Sequence, residues 1–162
     1  MLESLYSQFS AFLRMIEKEV PKMRATTRGL YALKAILTLA KTSDGQTPVS
    51  LHQIASFEGL SPEFLQQIFY RMRKAGIIQA TRGPGGGFYL SKKPEEISVY
   101  DILLAAGETL EIVPCAPERS RRRACEQFSS CDAGKFWSKM EILIVEYARS
   151  KHLSDLMTAG GI

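Results

Sequence analysis

The chain of 162 residues has no run approaching the roughly 20 consecutive apolar residues that a membrane-spanning helix needs. Its amino end carries Glu3, Arg14, Glu17 and Lys18 where a secretory signal would have a smooth apolar core. Both absences predict a cytoplasmic protein. Cysteine is missing from most of the chain, because Cys115, Cys125 and Cys131 fall within 17 residues and none occurs elsewhere. An odd, clustered set argues against a disulfide framework and toward metal or redox chemistry. No nucleophile with a base, paired carboxylates or phosphate loop stands at usable spacing, so an enzyme is not expected.

What the chain does have is 45% hydrophobic and 23% charged residues, enough for one compact domain or a small domain with an appended helix. The net charge is only +4, but it is unevenly placed. Residues 23–94 hold ten basic residues against three acids, a balance of +7, whereas residues 95–131 hold seven acids against four arginines, −3. One region therefore carries the positive field, which favours a polyanion such as nucleic acid. A merely solvated basic face would have the same count.

Helical spacing marks several elements. From 1 to 22, apolar residues recur at Leu2, Leu5, Phe9, Phe12, Leu13, Ile16 and Val20, and Pro21 closes the pattern. This segment reads as an amphipathic partner helix or as a start codon placed too far upstream, since Met23 opens a coherent domain. Thr27 is expected to cap a helix with Leu30, Leu33, Leu37 and Ala40 inward. Ser50 caps a second helix, Leu51 to Glu58, broken by Gly59. Ser61-Pro62 supplies the N-cap and first position of a third helix running to Ala75. Its inward stripe is Leu65, Ile68, Phe69 and Met72, leaving Glu63, Gln66, Gln67, Tyr70, Arg73 and Lys74 outside. Three such helices have the spacing of a helix-turn-helix.

Next, Ile77 to Thr81 and Phe88 to Leu90 flank the glycine-rich turn Arg82-Gly83-Pro84-Gly85-Gly86-Gly87, which reads as the hairpin wing of a winged helix. A phosphate loop would need Lys-Ser or Lys-Thr and a helix after its last glycine; Phe88-Tyr89-Leu90 follows instead. A capping box at Ser98–Asp101 starts a helix through Ala106. A longer helix is expected from Ala133 to His152, and Leu153 to Met157 forms a short last one. Within the long helix Ile142, Leu143, Ile144 and Val145 are consecutive, and four successive apolar residues cannot share one face. Two sides must be covered, one by the domain and the other by a second subunit. The expected fold is mainly α, a winged helix-turn-helix with a two-stranded wing and a long C-terminal dimerisation helix. Its divisions are an extension (1–22), the DNA-binding domain (23–94), a linker helix with the cysteine loop (95–131), and the dimerisation helix with its short successor (132–162).

The spacing C-x9-C-x5-C is wide for structural zinc, which favours close cysteine pairs, while an iron-sulfur cluster tolerates longer loops between its thiolates. From the residues alone, cluster, zinc and redox thiols all stay open.

Taken together, the run Met23 to Ala32, the stretch Gly59 to Phe69, Arg71 to Gly76, the wing Arg82 to Gly87 and three cysteines followed by Trp137 resemble a group of winged-helix bacterial regulators. That group includes the iron-sulfur cluster assembly regulator, the nitric-oxide-sensitive repressor and the rhizobial iron regulator. The likeness covers about Met23 to Met157. It implies a homodimer that places one third helix per subunit in the major groove of double-stranded promoter DNA. It also implies a transcriptional regulator, expected to be a repressor, governed by an iron-sulfur cluster, 2Fe-2S or 4Fe-4S, on Cys115, Cys125 and Cys131. A thiol-disulfide switch without a cluster is the alternative. The residues it places near DNA are Arg24, Thr26, Arg28, Ser50, Ser61, Glu63, Phe64, Gln66, Gln67, Arg82 and Gly83. A glutamine can pair with both hydrogen-bonding groups on adenine's major-groove edge, and helix N-termini suit phosphates.

The chain departs from the group at two points. Some relatives have five residues between the first two cysteines, whereas Glu118-Arg119-Ser120-Arg121-Arg122-Arg123 lengthens the interval here. The cluster-assembly regulator has a histidine three residues after its third cysteine; Gly134 stands there in this chain. The nitric-oxide branch borrows an acid from the partner's first helix, yet no Asp or Glu lies between Met23 and Lys41. One iron is therefore expected to take a weaker group: Glu108, Glu111, Asp132, an external thiol or water. His52 and His152 read instead as a surface residue and a helix-end cation.

Overall fold

The computed structural model describes residues 26–43, 47–112 and 125–158. Arg24, Cys115, the arginines at 119 and 121–123 and the whole 1–22 segment lie outside them. Among the described residues are six α-helices and one two-stranded antiparallel sheet. The elements are α1 (Thr27–Thr42), α2 (Leu51–Glu58), α3 (Pro62–Lys74), β1 (Ile78–Thr81), β2 (Gly87–Leu90), α4 (Val99–Ala106), α5 (Asp132–Ser150) and α6 (Leu153–Met157). This is the mainly helical, winged architecture expected.

Side-chain caps set most helix starts. Ser50 and Gln53 cap α2 reciprocally, the Gln53 N–H donating to Ser50 Oγ at 3.2 Å and the Ser50 N–H donating to Gln53 Oε1 at 3.0 Å. The Ser61 hydroxyl accepts the Phe64 N–H at 3.3 Å, with Pro62 in the first turn. At α4, Ser98 and Asp101 form the expected box. The N-cap of α1 is Thr26, not the expected Thr27. The buried face of α1 is correspondingly turned: Ala32, Ala35, Ile36 and Leu39 are fully buried, whereas Leu30 is 51% exposed. Of the expected stripe, Ala40 is buried and Leu33 and Leu37 are half-buried against the core, so Leu30 alone falls outside it. The long helix α5 runs Asp132–Ser150, and His152 caps α6 instead of ending α5.

One core joins these pieces. Ile36 and Leu39 of α1, Ile54 of α2, Leu65, Ile68, Phe69 and Met72 of α3, Ile102 of α4 and Leu153 of α6 are all at most 1% exposed. The stripe of α3 is the one that helical spacing predicted. In the wing, Ile78 pairs with Leu90 and Thr81 with Gly87. The wing is also tied to the chain before α2, because Val49 and Phe88 exchange backbone hydrogen bonds of 2.9 and 2.8 Å. A Cβ on Gly87 would lie 2.5 Å from the Val49 carbonyl oxygen, so this close approach requires glycine. A second isolated bridge, Ser98 with His152, fastens the start of α4 to the junction between α5 and α6 through Val99 N–H to Lys151 O and Leu153 N–H to Ile97 O.

Candidate functional site

The outer face of α3 and the wing carry most of the residues expected to meet DNA. Glu63, Gln66 and Gln67 are exposed on α3, and Arg82 and Gly83 are exposed in the turn leaving β1. Arg73 and Lys74 extend that face at the carboxyl end of α3, where their charges also suit the helix dipole. Two members have packing or capping duties. Phe64 is half-buried and meets the Tyr31 ring edge-on at 6.0 Å, while the Ser61 hydroxyl is engaged at the N-cap. Ser50 is likewise the cap of α2. Beside α3, an open groove of about 1110 Å³ lies between that helix and α4, lined by Gln66, Tyr70, Lys74, Lys92, Asp101 and Leu104 among others.

Thr26 and Arg28 stand at the amino end of α1, where a buried carboxylate from elsewhere in the chain arrives. Glu108, 8% exposed, accepts the Gly29 N–H at 3.0 Å and the Thr26 N–H at 3.4 Å, and its carboxylate also pairs with the Thr26 hydroxyl. This contact spans some 80 residues, and nothing in the local sequence announces it. Glu108, one of the carboxylates expected to meet an iron, is thus engaged at the start of α1. Asp132 is exposed in the first turn of α5, 3.3 Å from Lys135, and Glu111 is exposed.

The cysteine segment leads into α5. Cys125 is exposed, and its carbonyl accepts the Phe128 N–H at 3.0 Å, opening the 3-10 turn Phe128–Ser130. Cys131 is the N-cap of α5: its Sγ accepts the Gly134 N–H at 3.3 Å. Gly134 is buried, and a Cβ there would sit 3.3 Å from the Phe128 ring and 3.4 Å from Cys131 Sγ. Thiol donors, with Cys125 open to solvent and Cys131 against a helix N-terminus, fit an iron-sulfur cluster, whose usual ligands are thiolates. Cys115 lies outside the described residues, and among those described no three His, Cys, Asp or Glu side chains converge as a metal site.

Two further contacts hold the site's frame, and neither is visible from spacing. Glu141 of α5, 3% exposed, accepts the Ile112 N–H at 3.0 Å. The Arg149 guanidinium sits 4.5 Å from the centre of the Tyr100 ring, joining α5 to α4. On the outside of α5, Phe136, Leu143 and Tyr147 are 58, 52 and 55% exposed, with Trp137 and Met140 beside them. No helix among the described residues is long and apolar enough to cross a membrane.

The chain is similar to known proteins in sequence and in fold. The chain is 33% identical over 135 residues to a putative HTH-type transcriptional regulator of Haemophilus influenzae, covering 83% of this chain and 87% of that protein. It is equally 33% identical over 135 residues to the HTH-type transcriptional regulator IscR of Photorhabdus laumondii, covering 83% and 79%. Among solved structures, it resembles the cysteine regulator CymR of B. subtilis (TM-score 0.68, 27% identity, 83% of this chain and 96% of that one). It also resembles the IscR of T. potens (TM-score 0.64, 29% identity, 84% and 87%). These relatives are named as regulators, which makes this chain a transcriptional regulator and not an enzyme. Residues 25–159 match the Rrf2 family, described as iron-dependent transcriptional regulators, and the chain belongs to that family.

Proposed function

We propose that the protein is a homodimeric repressor that binds promoter DNA through α3 and the wing, with an affinity set by an iron-sulfur cluster on Cys115, Cys125 and Cys131. The observation that carries this reading is the position of Cys131 at the N-cap of α5. Chemistry at that sulfur acts directly on the helix whose outward apolar face would join two subunits. When bound, the cluster supplies a centre that reacts with oxygen or nitric oxide and is lost when iron is scarce. The chain's own part is to hold the thiolates, cap α5 and present Gln66, Gln67 and Arg82 to the double helix. The Haemophilus and Photorhabdus relatives support the DNA-binding half of the reading, and the name IscR on the second and on a solved neighbour accords with the cluster half.

Oxygen-free purification with iron and sulfide assays tests it. Wild type is expected to retain both elements, each Cys→Ala variant to lose them, and operator affinity to differ between loaded and cluster-free protein. Protein that never holds inorganic sulfide, even after reconstitution, overturns the cluster. Base readout is tested separately: Gln66→Ala is expected to cost about 1–3 kcal/mol at one base position and relax preference there. Equal binding of all single-base operator variants by wild type and variant would refute that role.

A second reading is a thiol switch, favoured by the likeness to CymR, including a solved oxidized form from Staphylococcus aureus at 29% identity. Two of the cysteines would join as a disulfide, giving two protons and two electrons to an oxidant. Operator affinity that follows thiol oxidation in iron-free protein selects this reading.

A further inference from the structure

We infer that Glu108 is the positioning residue that carries the state of the cysteine segment into the DNA-binding helices; this rests on the cysteines being the sensing site. The first turn of a helix presents N–H groups without intrahelical partners and a positive field, normally met by the helix's own cap. In α1 the Thr26 cap is supplemented by the Glu108 carboxylate, which accepts from Gly29 at 3.0 Å and pairs with the Thr26 hydroxyl. The fit depends on residue 29 having no side chain: a Cβ there would lie 2.5 Å from Glu108 Cγ and 2.7 Å from Cδ.

The neighbours of Glu108 extend the contact to α3. A Cβ on Gly107 would lie 3.0 Å from an Arg71 guanidinium nitrogen and 3.9 Å from one of Arg28. The carboxyl end of α4 is thus bracketed by cations from α1 and from the DNA-reading helix, as the helix dipole favours. Downstream, the Ile112 N–H is held by the buried Glu141 of α5 at 3.0 Å. Residues 107–112 are therefore fastened at one end to α1 and beside α3, and at the other to α5. Cys115 follows three residues later, and Cys131 caps the same α5. A change in how Cys115 and Cys131 are held together loads this short segment, and Glu108 transmits the load to the amino end of α1, next to Arg28.

The test compares wild type, Glu108→Ala, Glu108→Gln and Gly29→Ala, each metal-free and reduced or reconstituted with iron and sulfide. Operator affinity and the amide exchange rate of Gly29 are read in both states. Wild type is expected to change affinity by roughly 5- to 150-fold between states, with Gly29 exchanging at least about tenfold faster in the metal-free form. In Glu108→Ala the affinity ratio is expected to fall to within about twofold of one while thermal unfolding stays cooperative. Gly29→Ala should mimic it by expelling the carboxylate, and Glu108→Gln, which keeps one acceptor oxygen, should retain part of the ratio. A Glu108→Ala protein that switches like wild type, or a Gly29 amide that exchanges equally in both wild-type states while affinity changes, overturns the role of Glu108. Wild type that binds operator equally in both states overturns the sensing reading instead.

Discussion

At the scale of single residues, Glu58 shows how one carboxylate ties two helices, α1 and α2. It ends α2, lies 3.0 Å from Lys34 of α1 and accepts from the Thr38 hydroxyl. Burial alone pushes its carboxyl up, but the Thr38 hydrogen bond and the Lys34 bond and charge together outweigh that and hold it below the ordinary value. The folded value is thus lower than the unfolded one. The resulting stabilisation is present above the unfolded carboxyl's range, near pH ~4.3, and is lost as pH falls through the lowered folded value. Because Lys34 is half exposed, solvent screens part of the attraction. Glu58→Gln is expected to cost about 1 kcal/mol at pH 7, with the gap from wild type closing below about pH 4. Denaturant unfolding at both pH values measures this, and a gap that persists in acid would exclude the charge as its source.

Among the elements, α5 is the most two-sided. Gly134, Glu141, Val145 and Ala148 form its buried stripe, while Phe136, Leu143 and Tyr147 face outward. The run Ile142–Val145 made this division legible in the sequence, because no single helical face holds four consecutive residues. Leu143→Asp is expected to leave helix content unchanged, since Leu143 is already 52% exposed in the single chain, and to convert a dimer into monomers with weaker operator binding. Light scattering that still finds dimers would remove this face from the proposed interface. The α3 stripe, the three serine caps and the wing were equally legible, because each follows from spacing or turn chemistry within about a dozen residues. The centre of the α1 face was not, since Ala32, Ala35, Ile36 and Leu39 fill it while Leu30 stays 51% exposed. Nor were the contacts of Glu108 and Glu141, which join parts of the chain far apart in sequence and leave no local pattern.

Across the whole molecule, charge follows the fold. Arg28, Lys34, Lys41, Arg71, Arg73, Lys74, Arg82, Lys92 and Lys93 are all exposed and all belong to the block from α1 through the wing and the turn beyond it. A dimer engaging about four phosphates per subunit would release counterions from about eight, giving a slope of log affinity against log salt of about −7. Anisotropy titrations of a labelled operator across salt concentrations provide the check, and a slope near zero would argue against DNA as the partner.

The Ser98–His152 bridge bears on how any movement must be distributed. It pins the carboxyl end of α5 to the start of α4 through two backbone hydrogen bonds. The 19-residue helix then places Cys131 about 28 Å from that fixed end. Glu141 holds the same helix a second time through the Ile112 N–H, so a displacement at the sulfur end meets two separate footholds before it reaches α6.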